Sequence, residues 1–292
     1  MTSRPSPQQP HPDHDRGLEF DVATLLDRRR ALGIFGGAGL LALAGCAASD
    51  STGSSATGGS TITSSASAST SAGAATSSGT ASTVSTEVPD ETQGPYPGDG
   101  SNGTNVLDDS GIIRSDITSS FGTSTTKAEG VPLTVNLTVT DSENGYAAME
   151  GAAVYIWHCD RDGNYSMYSQ GVENENYLRG VQPTNANGTA TFTTIFPAAY
   201  SGRWPHIHFE VYRSTADATS SGQIVKTSQI ALPDAVCRAV YATAGYEQSA
   251  RTHEQTTLTS DNVFGDDGGI HQLATVTGDV SSGYVANLTI GV

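Results

Sequence analysis

Basic residues are scarce in this sequence: 14 Lys and Arg stand against 30 Asp and Glu, for a formal net charge of −16. That balance excludes nucleic acid and anionic membrane surfaces as natural partners and suits a soluble exported protein. Residues 1–45 hold five arginines and five acidic residues, so the remainder carries the whole −16. Long apolar runs are missing too. The run from Ala31 to Ala44 is 14 residues and broken by Gly, whereas a membrane-spanning helix needs about 20. Cysteine is rare, with only Cys46, Cys159 and Cys237. Helix signals are few, and there is no internal repeat.

What is present divides the chain in three. Arg28-Arg29-Arg30-Ala31-Leu32 precedes the apolar run, which has the size of a signal-peptide h-region. Twin arginines followed by x-Leu resemble a Tat signal. Leu43-Ala44-Gly45-Cys46 looks like a lipobox, so residues 1–46 are expected to be a Tat-type lipoprotein signal with Cys46 lipidated. A cleaved signal with an incidental Cys46 is the alternative. Membrane contact is then expected only through that lipid, with the protein at the cell surface or outside the cell. In Ala47–Ser85 all but Asp50, Ile62 and Val84 are Ser, Thr, Gly or Ala. Such a stretch cannot offset its ordering entropy. We read residues 47–86 as a linker spanning about 35 Å. Residues 87–292 are then one folded domain, long enough for a full core.

The domain reads as strands. Val131–Val139 alternates apolar and polar residues, the period of a half-buried strand. Ala153–Trp157, Thr189–Phe196, His206–Tyr212 and Val285–Ile290 are rich in β-branched and aromatic residues. Turn residues separate them, and Pro233–Thr243 is the one helix expected. The fold class is therefore all-β, an antiparallel sandwich with long loops and few short helices. Cys159 and Cys237 form an even pair in an exported domain, which predicts one disulfide. Two buried thiols or metal ligation are the alternatives.

His206-Ile207-His208 carries the sharpest chemical signal. Side chains at i and i+2 of a strand share a face, so both imidazoles can reach one metal ion. Alone, the pair fits zinc, copper, manganese or iron, or no metal. Its neighbours are Tyr200, Arg203 and, in a Gly-Asn-Tyr turn, Tyr165. His158, beside Cys159, is a weaker candidate for the site. His253 and His271 fall in polar, loop-like stretches and are expected to face solvent.

Longer stretches share a pattern. They are Glu91–Tyr96, Gly151–Ser166, Leu178–Gln182, Gly188–Pro197 and Tyr200–Phe209, in that order. Here the sequence resembles the intradiol ring-cleavage dioxygenases, the family of catechol 1,2-dioxygenase and protocatechuate 3,4-dioxygenase, from about Glu91 to the end. The resemblance implies a non-haem Fe(III) held by Tyr165, Tyr200, His206 and His208. Hard phenolate oxygen favours the ferric state. It also implies a small aromatic diol and O2 as substrates. Tyr200 would leave the metal and take up a substrate proton, and the ring would open between its two hydroxylated carbons to a muconate-type dicarboxylate. Arg203 matches a guanidinium that stabilises the electron-rich substrate. Gln229 matches a pocket glutamine, with Gln223 as a competitor, and Gly94, Pro95 and Tyr96 match the pocket mouth.

Three departures from the family pattern stand out. Only five residues separate Tyr200 from His206, Ala198-Ala199 replaces a usual Pro-Gly, and no long helical dimerisation segment precedes the domain. The short loop suggests an open pocket; the oligomeric state is not indicated. Readings from other classes are a non-catalytic sandwich module on a lipid tether and a cupin-like site using His206, His208 and Glu210 with a later His. The N-terminal reading is checked on cells expressing the full chain. Cys46→Ala should remove lipid labelling and shift the protein from the membrane fraction to the soluble one.

Overall fold

The structure is a computed structural model that describes residues 86–292. The expected signal, Cys46 and linker residues 47–85 lie outside the described residues. The strands are β1 (Pro132–Asp141), β2 (Ala147–Ala148), β3 (Ala153–Trp157), β4 (Arg179–Pro183), β5 (Thr189–Ile195), β6 (His206–Tyr212), β7 (Ile224–Ala231), β8 (Thr275–Asp279) and β9 (Gly283–Gly291). The helices are α1 (Thr215–Ala218), α2 (Asp234–Tyr241) and α3 (Glu247–His253).

One sheet runs β2-β1-β9-β8, with β5 also pairing along β1. The other runs β4-β3-β6-β7. The fold is the all-β sandwich expected, with one refinement: β1 and β9 pair in parallel, while every other strand pair is antiparallel. These two strands are far apart in sequence, so no hairpin dictates their direction.

Burial follows from side-chain alternation. In β1, Leu133, Val135, Leu137 and Val139 point into the core, and the residues between them are more exposed. β3 and β6 are buried at every position, as expected for strands covered on both faces. Val154, Ile156, Ile207, Phe209 and Val211 enter the main core between the sheets. Ala153, Tyr155, Trp157 and Tyr212 enter a second cluster. Loops cover this outer face, and the candidate site lies there. In β4, a Cβ at Gly180 would sit 2.4 Å from Ile117 Cγ2, so only glycine permits that approach.

The expected helix at Pro233–Thr243 is α2, with Pro233 at its N-cap. The other two helices lacked a signal, since Glu247–His253 reads as a polar stretch. Strands β4, β7 and β8 were also unmarked by alternation. His253 is corrected from exposed to buried: it closes α3 at 3% exposure, its Nε2 is 3.0 Å from Asp234 Oδ1, and its ring lies 4.7 Å from that of Trp204. His271 is half-buried.

The expected disulfide is also corrected. Cys159 and Cys237 are separate buried thiols. Cys159 follows β3 into the outer cluster and donates to the Ala198 carbonyl at 3.8 Å. Cys237 packs from α2 into the main core and donates to Leu232 O at 3.8 Å. Burial pushes both thiols up, which keeps them in the unreactive protonated form.

Two buried groups give measurable consequences. The Tyr246 hydroxyl accepts from Val131 N at 3.1 Å and donates to Phe196 O at 2.7 Å, pinning the lead into β1 to the end of β5. Tyr246→Phe leaves both backbone groups unpartnered and should cost about 1–3 kcal/mol in urea denaturation. Glu91 is 6% exposed, and burial, reinforced by Asp266, pushes its pKa up to about 8 from 4.5. The folded state therefore holds a proton that the unfolded chain releases above about 4.5, so stability falls as pH rises through that window and levels off above about 8. Glu91→Gln should flatten this slope, its advantage over the wild type growing with pH across the window in denaturation midpoints.

Candidate active site

The face of β6 opposite the main core presents His206 and His208. They are 3% and 2% exposed, and their Nε2 atoms are 3.1 Å apart. The His206 ring is fixed from behind: its Nδ1–H donates to Trp204 O at 2.5 Å, so Nε2 offers a lone pair to the site. His208 is fixed by stacking, with its ring 4.9 Å from Trp157 at an interplanar angle of 6°. Its Nδ1 is buried without a hydrogen-bond partner.

Loops bring the phenols. Tyr165 comes from the β3–β4 connection and is buried; Tyr200 comes from the β5–β6 connection and is half-buried. Tyr200 Oη is 3.1 Å from His206 Nε2 and 3.3 Å from Tyr165 Oη. The four polar atoms thus follow one another at 3.3, 3.1 and 3.1 Å. Metal–donor bonds of about 2.0–2.1 Å place adjacent donors about 2.8–3.4 Å apart. These four side chains therefore fit a single metal ion. No group of three or more His, Cys, Asp or Glu that could hold a metal exists among the described residues. The cupin-like set is thus not assembled, and Glu210 accepts from Tyr212 Oη at 2.7 Å.

Tyr165, His206 and His208 are neutral as they stand. Burial pushes the Tyr165 phenol well up, and Tyr200 beside it adds to the effect. Burial also pushes both imidazoles far down, His208 further by its neighbour His206 and both by the charge of Arg203. Neutral imidazoles offer lone pairs at any ordinary pH. A bound multivalent cation reverses the preference of the phenols, because it stabilises the phenolates.

Arg203 is 1% exposed. Its Nε donates to Asp261 Oδ2 at 3.0 Å and its Nη2 to Gln229 Oε1 at 2.6 Å. Gln229 is fully buried on β7, opposite His208 in the ladder, and its Nε2 donates to Thr92 O at 2.9 Å. Gln223 is exposed ahead of β7. Gly94, Pro95 and Tyr96 continue from Thr92, and the Tyr96 ring lies 5.0 Å from Tyr165 and 5.1 Å from Tyr168. His158 stays out of the donor group: its Nδ1 is 2.8 Å from Cys159 O and its Nε2 2.7 Å from Thr194 Oγ1.

Two residues of this framework escaped sequence reasoning. Arg179, 1% exposed, donates to Pro97 O at 2.8 Å, Tyr155 Oη at 3.2 Å, Ser166 Oγ at 3.1 Å and Ser166 O at 3.0 Å. It ties the segment after Tyr96 to the residue after Tyr165. It lies in the matching stretch Leu178–Gln182, where its charge beside Leu178 was a signal, but no role was read from it. Asp261 had none, being 58 residues from the arginine it meets.

A protein-family model described as Dioxygenase matches residues 114–243, which include Tyr165, Tyr200, Arg203, His206, His208 and Gln229. No curated protein matches the chain. Among solved structures, an intradiol ring-cleavage dioxygenase from Tetranychus urticae is 27% identical over 62% of this chain and 86% of its own, with a TM-score of 0.52. The dioxygenase domain of a dioxygenase carbohydrate-binding protein fusion from Streptomyces sp. SirexAA-E is 22% identical over 71% of this chain and 98% of its own, with a TM-score of 0.46. A 3-chlorocatechol 1,2-dioxygenase from Rhodococcus opacus 1CP is 16% identical over 56% and 60%, with a TM-score of 0.39. The matched segment and the two-sheet fold together make the folded part of this chain similar to the intradiol ring-cleavage dioxygenases.

Proposed function

We propose that this protein is an exported, non-haem Fe(III)-dependent intradiol dioxygenase that opens the ring of a catechol-type substrate. The convergence of Tyr165, Tyr200, His206 and His208 within 3.1–3.3 Å steps carries the reading. Two neutral nitrogen donors and two oxygen donors that turn anionic on binding suit a hard trivalent ion. Such an ion, when bound, supplies the Lewis acidity that draws electron density from the diol.

The side chains divide the remaining work. His206 and His208 hold position from a strand. Tyr165 is locked in the outer cluster. Tyr200 is half-buried on a loop and already hydrogen-bonds two neighbours, which suits it to exchange places with substrate and accept a proton at Oη. Arg203 lends a fixed positive charge beside the ring, a preorganised electrostatic role. In the overall reaction both oxygen atoms of O2 enter the product. The carbon–carbon bond between the hydroxylated carbons breaks, leaving a muconate-type dicarboxylate. The short connection before His206 supports a broad range of substituted catechols. Tat export and a lipid at Cys46 would place this chemistry outside the cytoplasm.

The purified protein should bind about one iron per chain and absorb visible light through tyrosinate-to-iron charge transfer. It should also consume O2 on catechols. Tyr200→Phe and His206→Ala should each lower kcat/KM by at least about 100-fold, a loss of the size seen when one key catalytic group is removed. A folded, colourless, iron-free protein without activity would favour a binding module instead.

A further inference from the structure

Arg203 and His206 lie on one short segment that leads into β6, and a carboxylate from a distant loop grips it. Asp261 is 2% exposed, and both of its oxygens are used. Oδ2 accepts from Arg203 Nε at 3.0 Å and from Trp204 N at 2.6 Å. Oδ1 accepts from Val263 N at 2.8 Å and Phe264 N at 3.0 Å. The second pair shapes the loop's own turn. The first pair reaches out of the loop to the site.

Trp204 passes this grip on. Its N–H is held by Asp261, while its carbonyl receives the His206 Nδ1–H at 2.5 Å. Its indole Nε1 is anchored on Leu232 O at 2.8 Å, so the residue cannot swing. The same loop lays Phe264 against the imidazole, ring centroids 6.4 Å apart. On the other branch, Arg203 is clamped between Asp261 and Gln229. From these contacts we infer that Asp261 is a positioning residue with two charges of work: it aims the Arg203 guanidinium and, through the Trp204 peptide, fixes the face of His206 turned to the site. The inference rests on the dioxygenase reading for its consequence in catalysis, but the contacts themselves do not.

Different oxygens serve the site and the turn, and both branches leave from Oδ2, to a side chain on one and to a backbone N–H on the other. Asp261→Asn keeps the size and one accepting oxygen, but cannot satisfy all four donors. The experiment compares wild type, D261N, R203A and the double variant. In the metal-free protein, exchange of the Arg203 Nε–H is followed by NMR; it should be slow in wild type and fast in D261N. Iron affinity by chelator competition should fall about 10–100-fold in D261N, the usual loss on removing an outer partner of a metal ligand. It should stay near the wild-type value in R203A, because the branch to His206 does not pass through Arg203. On catechol with iron saturating, D261N should lower kcat more than it raises KM, and adding D261N to R203A should cost less activity than D261N costs alone, because the guanidinium branch is already lost, while the fall in iron affinity should persist.

Unchanged Nε–H exchange and iron affinity in D261N would overturn the inference. So would multiplying activity losses in the double variant. If D261N does not fold, R203A still decides: iron lost together with activity in that variant would refute the two-branch assignment. A wild type that binds no iron and cleaves no catechol would instead overturn the functional reading, while the exchange measurement would still test Asp261.

Discussion

Everything at this site depends on β6 being buried on both faces. A strand displays alternate residues to opposite sides. Ile207, Phe209 and Val211 are committed to the core between the sheets, so His206 and His208 must face the other way. Register is thereby fixed by apolar packing, since a one-residue slip would turn the imidazoles into the core and the apolar side chains into the site. β3 and β7 flank β6 and deliver Trp157 and Gln229 opposite His208. The strand carries its donors at a spacing set by the backbone itself.

Burial creates the electrostatic conditions as well. It holds the imidazoles and the Tyr165 phenol neutral, so none of these three brings a charge of its own. Arg203 is the exception, and its charge is met by Asp261 in an ion pair whose side chains are 1% and 0% exposed. A buried pair of this kind contributes little net stability, but removing one partner is costly. Its value here is geometric. It fixes a guanidinium that an unpaired flexible side chain would not hold.

How much could be read from the sequence tracks how local each signal is. His206-x-His208 was legible because a strand's period is local, as were the alternation of β1 and the helix after Pro233. Tyr165 and Tyr200 carry no local mark, and only the register of longer motifs singled them out. The parallel β1–β9 pair, the buried place of His253 and the separation of Cys159 from Cys237 depend on contacts between distant segments, which composition does not encode. Gln229 and Gln223 look alike in sequence. They differ because one lies across the ladder from His208 and the other precedes the strand.

The unequal mounting of the four donors has a mechanical consequence. Two come from a strand hydrogen-bonded on both sides, and a third, Tyr165, is packed under Tyr96 and beside the Arg179 knot. Tyr200 alone sits half-buried, on the connection, with five residues between it and His206. Displacing a strand residue would break ladder bonds, and displacing Tyr165 would disturb the buried guanidinium. Displacing Tyr200 disturbs a loop and two hydrogen bonds. If one ligand must yield to substrate in each turnover, the fold has made that choice by where it placed rigidity.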